Sequence, residues 1–292
     1  MKIFLDSFAK FLGFLVAFVV FIIIINLLII FITKNKKDYF TVLQGDIKSE
    51  NIVAVLKLGG PIIFEPINFN NFDFFTSFNV IFPSMIQEYL EELEEKKVQA
   101  LIVSIDSPGG SVAASEKVFK IISKFKEKNQ IPVYFHTNEM LTSGAYWVSL
   151  SGDKIFASYG AIIGSIGVKG PDWIYFNSPT SLSSGILGTA IESPNGIEMY
   201  SNIAGKSKDL FNPFRKPTKN EELQLQKMVN EIYDDFITNV AAKRKIEKNI
   251  LINEIGAMFF NSKAAKNNYL IDDDKDLDDV LKIITKKLKL QN

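Results

Sequence analysis

Phe11 to Ile32 is an uninterrupted run without a charged side chain. As a helix it would be about 33 Å long at ~1.5 Å per residue, enough to cross a hydrocarbon core of about 30 Å. The run is apolar on every face, which a half-buried surface helix is not. A cleavable leader has a shorter apolar core and a small-x-small cleavage site. Here Lys34-Asn-Lys-Lys-Asp38 follows Thr33 directly. The sequence therefore predicts a retained single-pass anchor over residues 11–33, a short flank at 1–10, a linker at 34–50 and one folded domain at 51–292. Asn26 is the one strongly polar residue in the run, placed where it could bond a neighbouring anchor helix. Charge does not orient the anchor. Lys2 and Lys10 lie on one side, Lys34, Lys36 and Lys37 on the other, and the terminal amine nearly evens the two.

The chain has a 47% hydrophobic share, part of it in this run. Its net charge of +0 comes without a basic patch, which disfavours nucleic acid as a partner. Cysteine is absent and one histidine is present, so no Cys/His metal-ligand spacing occurs. Neither a phosphate loop nor a dinucleotide fingerprint occurs, and no cofactor is expected.

Between Leu101 and Gly170 three short patterns follow one another. Leu101-Ile-Val-Ser-Ile-Asp-Ser-Pro-Gly-Gly-Ser111 reads as a buried parallel strand broken by Pro108, Gly109 and Gly110. A helix is predicted after it, with Val112, Val118 or Phe119, Ile122 and Phe125 on one face. Glycines ahead of a helix N-terminus leave outward N–H groups that can hold an oxyanion, although a plain strand-to-helix turn has the same pattern. The second pattern, Leu141-Thr-Ser-Gly-Ala-Tyr-Trp147, follows a predicted strand at Ile131 to Thr137. Ser143 precedes a short apolar helix, Gly144 to Leu150. A serine there is commonly an N-cap; it is also where a nucleophile can sit. The third pattern is Ile163-Gly-Ser-Ile-Gly-Val168.

A serine nucleophile needs a base. His136 is the only histidine and lies within a predicted strand, where packing is its ordinary use. The remaining candidates are lysines, which serve as bases when desolvated. Ala204-Gly-Lys-Ser-Lys-Asp-Leu210 follows a segment, Ile197 to Ile203, that reads as a strand. On a strand Lys206 and Lys208 would share a face.

Taken in order, Asp106-Ser-Pro-Gly-Gly-Ser111, Thr142-Ser-Gly-Ala-Tyr146, Asp153-Lys-Ile155, Gly164-Ser-Ile-Gly-Val168 and Gly205-Lys-Ser-Lys-Asp209 resemble the signal peptide peptidase A-like serine proteases, peptidase family S49, with the SohB-type enzymes. The resemblance runs from about Ile52 to Leu281. It implies an α/β fold of the Clp protease/crotonase-like β-β-α superhelix type. It also implies a cyclic homo-oligomer and peptide or protein substrates, in particular cleaved signal peptides and other apolar or membrane-associated chains. By motif, Ser143 matches the nucleophile, Lys208 the general base, Ser165 a serine supporting that base, and Gly109 and Gly110 the oxyanion turn. Lys206 is the runner-up for the base. Lys169 takes that place if the chain is of the stomatin-partner type. Gly144-Ala145 stands where the family usually has Gly-Gly. With no internal repeat, the chain resembles the single-length form. The resemblance further implies a bacterial cytoplasmic (inner) membrane, with the catalytic domain on the non-cytoplasmic side. The alternative class is a non-catalytic membrane scaffold on the same fold.

Elsewhere, Asn51 to Leu58 alternates as a strand ending at Gly59-Gly60. Phe64, Phe69, Phe72, Phe74, Phe75, Phe78 and Phe82 then occur without a clean period, as packing beneath a loop or as an apolar surface near membrane or substrate. Pro83 to Lys97 is a predicted helix. Ser178 to Gly185 and Ser193 to Gly196 read as loops. Thr218 can cap a long helix to about Lys245, whose apolar face is Leu225, Val229, Ile232, Phe236 and Val240. A short helix after Phe259 leads into a final strand, and Asp276 to Leu290 is a terminal helix.

Overall fold

The computed structural model describes residues 2–33, 40–45, 49, 51–65, 79–96, 98–176, 183–185, 188–190 and 202–288. The chain divides into two compact units, Met1–Lys48 and Ser49–Asn292. In the first unit α1 runs from Lys2 to Thr33. Its stretch Ser7–Asn26 has a mean hydropathy of 2.9 and is long and apolar enough to cross a membrane. The Asn26 amide donates back to the Ile22 carbonyl at 2.9 Å, so the helix satisfies one of its polar groups internally.

The second unit repeats one motif: a strand of the main sheet, a short extended segment, then a helix. β1 (Val53–Gly59) leads through a bridge at Ile62 to α2 (Pro83–Glu95). β2 (Ala100–Asp106) leads through bridges at Ser107 and Gly110 to α3 (Val112–Asn129). β3 (Val133–Thr137) continues into β4 (Met140–Thr142) and α4 (Gly144–Ser149). β5 (Lys154–Ala157) continues into β6 (Ile162–Gly164). This is the expected β-β-α succession. After a hairpin of β7 (Ser183–Gly185) and β8 (Gly188–Ala190) comes α5 (Lys219–Arg244). Then follow α6 (Lys248–Ile250), a π-helical turn at Leu251–Ile255, β9 (Phe259–Asn261), α7 (Ser262–Asn267), β10 (Asp273–Asp274) and α8 (Leu277–Lys287).

The main sheet has the order β1-β2-β3-β5-β10, and every pairing is parallel. That explains the near-continuous apolar run in β2, since a parallel sheet is covered on both faces. Ala100, Ile102, Tyr134 and Phe156 form one face and pack against Val280 and Ile284 of α8. Leu101, Val103 and Phe135 alternate to the other face and are also fully buried. A second sheet has the order β4-β6-β9, with β4 and β6 parallel and β9 antiparallel to β6.

Several expectations change. Val112 is exposed; the buried stripe of α3 is Ala114, Ser115, Val118, Ile122 and Phe125, and Ser111 caps the helix by accepting from the Ala114 N–H. Within the presumed loop at 178–185, Ser183–Gly185 pairs antiparallel with Gly188–Ala190. Lys206 and Lys208 do not sit on a strand: Gly205 (φ 103°) and Ser207 (φ 60°) curl that segment into turns, closed by Lys208 N–H donating to Gly205 O. Ile197 to Tyr200, Ser193 to Gly196, and Phe69 to Phe78 lie outside the described residues.

Candidate active site

In open parallel sheets, ligands bind beyond the carboxyl ends of the strands. Here the chain leaves β2 at Asp106 and β3 at Thr137, and both loops turn towards the same place. Asp106 ties them together. One of its oxygens accepts from Thr137 Oγ1 at 2.7 Å, from the Asn138 N–H at 2.9 Å and from the Glu139 N–H at 2.7 Å. Burial alone would raise this carboxyl's pKa, but these bonds together hold it below the ordinary value. Ser107 continues the join. Its N–H donates to Met140 O at 2.7 Å, and its carbonyl accepts from the Thr142 N–H at 3.2 Å. The motif aspartate and serine thus place Gly109 and Gly110 beside the start of α4.

Ser143 occupies the position before α4 with φ 52° and ψ −124°. An N-cap serine is extended and accepts a main-chain N–H through its side chain. Ser143 is not extended and makes no such bond, so the N-cap reading is excluded. A non-glycine residue held at positive φ on a strand-to-helix turn is the backbone arrangement of a nucleophile elbow. The surrounding main chain enforces it: Ser143 N–H donates to Gly164 O at 3.0 Å, and Ser143 O accepts from the Trp147 N–H at 3.0 Å. The residue is half-buried, so its hydroxyl is not sealed in the core.

Two N–H groups meet beside it. That of Gly144 is the first in α4 and has no intrahelical acceptor. That of Gly110 has no partner among the described residues. A Cβ on Gly144 would lie 3.2 Å from Gly110 N, which measures how closely the two approach. Gly109 differs, because its N–H donates to Ser107 Oγ at 3.1 Å. Its contribution is compactness: at φ 95° a Cβ there would come within 2.6 Å of Gly144 N and 2.9 Å of Ser143 Cβ. A Cβ on Gly110 would lie 2.0 Å from Ile62 O. The sequence reading missed Gly144 as a donor; its place directly after the serine was the available signal.

Ser165 lies next to Gly164, whose carbonyl holds Ser143. It has φ 51°, and its N–H donates to Met258 O at 2.9 Å. Ser143, Gly109, Gly110 and Ser165 are therefore gathered by direct main-chain contacts. The lysines are not. Lys208 and Lys206 are exposed on their turn, and neither hydrogen-bonds Ser143 among the described residues. Lys169 pairs with Asp172 at 2.8 Å. His136 is fully buried in β3, with Nε2 3.2 Å from Lys275 O and 3.4 Å from Ser158 Oγ. It makes no bond to Ser143, and the described residues contain no Ser-His-Asp triad.

With this geometry in hand, comparison with known proteins is decisive for the family. The model of peptidase family S49 matches residues 125–182 and 185–291, which include Ser143, Ser165 and the Lys206–Lys208 turn. The chain belongs to peptidase family S49. A protein of Methanocaldococcus jannaschii is 33% identical over 204 residues, covering 70% of this chain and 61% of that one. Protease 4 of Salmonella typhi is 28% identical over 198 residues, covering 68% of this chain and 29% of its own length. The chloroplastic serine protease SPPA of Arabidopsis thaliana is 25% identical over 194 residues, covering 66% and 26%. The S49 chain described here thus spans less than two thirds of the length of these relatives. A solved structure of the 1510-N membrane-bound stomatin-specific protease is also similar, with a TM-score of 0.47 and 16% identity over 80% of this chain and 84% of that one.

Proposed function

We propose that this S49 chain is a membrane-anchored serine endopeptidase with a Ser-Lys dyad. The observation that carries the reading is the conformation of Ser143, φ 52° and ψ −124°, beside the unpartnered N–H groups of Gly110 and Gly144. The Ser143 hydroxyl attacks a peptide carbonyl carbon as its proton passes to the Lys208 amine. The carbonyl oxygen gains the charge and accepts from Gly110 and Gly144, donors that are already aimed before reaction. Lys208 returns the proton to the departing amine as the C–N bond breaks. Water then attacks the acyl-enzyme ester, giving its proton to Lys208, and Lys208 hands that proton to Ser143 Oγ as the ester bond breaks. Ser165, adjacent to the carbonyl that holds Ser143, supports the base.

The substrates we infer are cleaved signal peptides or other apolar chains near a membrane, in keeping with the S49 resemblance and the apolar α1. The anchor is proposed to sit in a bacterial cytoplasmic membrane, with the peptidase domain on the non-cytoplasmic side. Lys208 is exposed and, among the described residues, makes no bond to the serine of its own chain. That favours a shared site, in which Ser143 of one copy works with Lys208 of its neighbour in a cyclic homo-oligomer.

The test is covalent labelling with a fluorophosphonate. The wild-type chain is expected to be labelled and Ser143→Ala is not; equal labelling of both rejects the nucleophile. For the shared site, inactive Ser143→Ala and Lys208→Ala chains are mixed. Recovery of part of the activity supports it, and mixed oligomers that stay inactive reject it.

A further inference from the structure

Arg215 takes no part in the chemistry above, yet it joins three segments of the chain. Its Nε and Nη2 donate to the two carboxylate oxygens of Asp209 at 2.7 and 2.8 Å. Its Nη1 and Nη2 donate to the two oxygens of Glu221 at 2.9 and 2.8 Å. Both edges of the guanidinium are therefore engaged in forked, charge-assisted pairs, the strong and directional kind. Glu221 is buried and also accepts the Thr218 N–H at 2.7 Å, which completes the capping box at the start of α5. The Arg215 carbonyl accepts from Trp173 Nε1 at 3.2 Å, and the guanidinium carbon lies 5.0 Å from the centre of that ring.

This junction bears on the base through Asp209, the residue after Lys208. Asp209 closes the turn: its carbonyl accepts from the Asn212 N–H at 3.1 Å while its carboxylate is clamped. On the other side, α5 packs against α4 through Phe236 and Trp147, whose rings are 4.8 Å apart. Ser143 immediately precedes α4. The Lys208 turn is thus tied through Arg215 and Glu221 to α5, and α5 to α4, so its place on the domain is fixed whichever copy's serine it meets.

We propose that Arg215 is a positioning residue that holds the Lys208 turn against the start of α5 and so fixes where the base is presented. The inference rests on the Ser143–Lys208 reading. A lysine cannot replace the arginine, because a point charge does not bridge two carboxylates with a rigid fork. A turn that shifts by about 1 Å loses on the order of a hundredfold in rate without losing the fold.

The experiment measures fluorophosphonate inactivation of the full chain, separating the maximal rate from the half-saturating probe concentration, with the melting temperature recorded alongside. Ser143→Ala and Lys208→Ala set the reference. Arg215→Lys and Asp209→Asn are expected to lower the maximal rate at least tenfold, with half-saturation unchanged and melting within a few degrees of wild type. Asp209→Asn frees the turn while leaving the Arg215–Glu221 pair and the helix cap in place, so it decides the matter if Arg215→Lys does not fold. A wild-type maximal rate in Asp209→Asn, with Lys208→Ala inactive, overturns the positioning role alone. Full labelling of Lys208→Ala overturns the dyad itself and the inference with it. A rate loss matched by an equal loss of folded protein shows a structural role only and rejects the proposal.

Discussion

Ser143 keeps a backbone conformation that costs a side-chain-bearing residue about 1–3 kcal/mol. Glycine adopts such a conformation without that penalty. Ser143→Gly is therefore expected to abolish hydrolysis and raise the melting temperature by a few degrees, read by differential scanning calorimetry beside Ser143→Ala. A lower melting temperature in the glycine variant would mean the serine is not strained. Gly144→Ala is expected to lower the melting temperature instead. The new Cβ would lie 2.3 Å from the buried Ser115 Oγ and would crowd Gly110 N. Loss of one oxyanion donor reduces turnover by about 10²–10³, so peptide hydrolysis in Gly144→Ala should fall by that order. At this scale the sequence was informative where motif and geometry coincide. The place of Ser143 before a short helix left an N-cap and a nucleophile open, and only its backbone conformation removes the first. The division of labour between Gly109 and Gly110 could not be read from the sequence, because it depends on Ser107 Oγ claiming one of the two N–H groups. The base was not legible either: Lys206 and Lys208 are exposed residues of one turn, and spacing along a chain does not tell which faces the serine.

Among the elements, long apolar segments were read within a residue or two. β2 is a continuous apolar run, while α3 and α5 carry helical periodicity and the caps Ser111 and Thr218. The β7–β8 hairpin escaped because Ser183, Ser184, Gly185 and Gly188 have loop composition, and pairing rather than propensity makes them strands. The turn at Lys206–Lys208 was misjudged for a related reason. The positive φ of Ser207 belongs to a local closure that a polar sequence does not announce. Two element-level expectations follow. Thr218→Ala removes the acceptor for the Glu221 N–H and should destabilise the domain by about 1 kcal/mol in denaturant unfolding. Phe236→Ala empties the contact between α5 and α4 and should cost about 3–5 kcal/mol in the same assay. If Phe236→Ala unfolds at the wild-type midpoint, the two helices are not coupled through that ring pair.

For the whole molecule, a histidine buried in the main sheet makes the fold sensitive to acid. His136 sits in the central strand, and burial pushes its pKa below the ordinary 6.5; the Lys275 carbonyl and the charges of Asp106 and Asp276 oppose that shift without reversing it. A depressed histidine means that the unfolded chain binds the extra proton first, so stability falls as pH drops below about 6.5 and continues to fall until the folded-state value is passed. Asp106, also depressed, adds a second loss with the same sign, beginning below about 3.8 as the unfolded chain takes up its proton. Melting temperatures between pH 8 and pH 5 are expected to decline, and His136→Gln should flatten that decline. An unchanged slope in the variant would assign the acid sensitivity to other groups. The oxyanion donors proposed for this molecule are main-chain groups, brought together by residues that lack a Cβ at Gly109, Gly110 and Gly144. Point changes that silence hydrolysis are thus more numerous at these three codons than at the serine codon itself. A descendant can keep an intact serine and lysine and still have lost the reaction, surviving as a peptide-holding protein whose altered trade is written in its glycines.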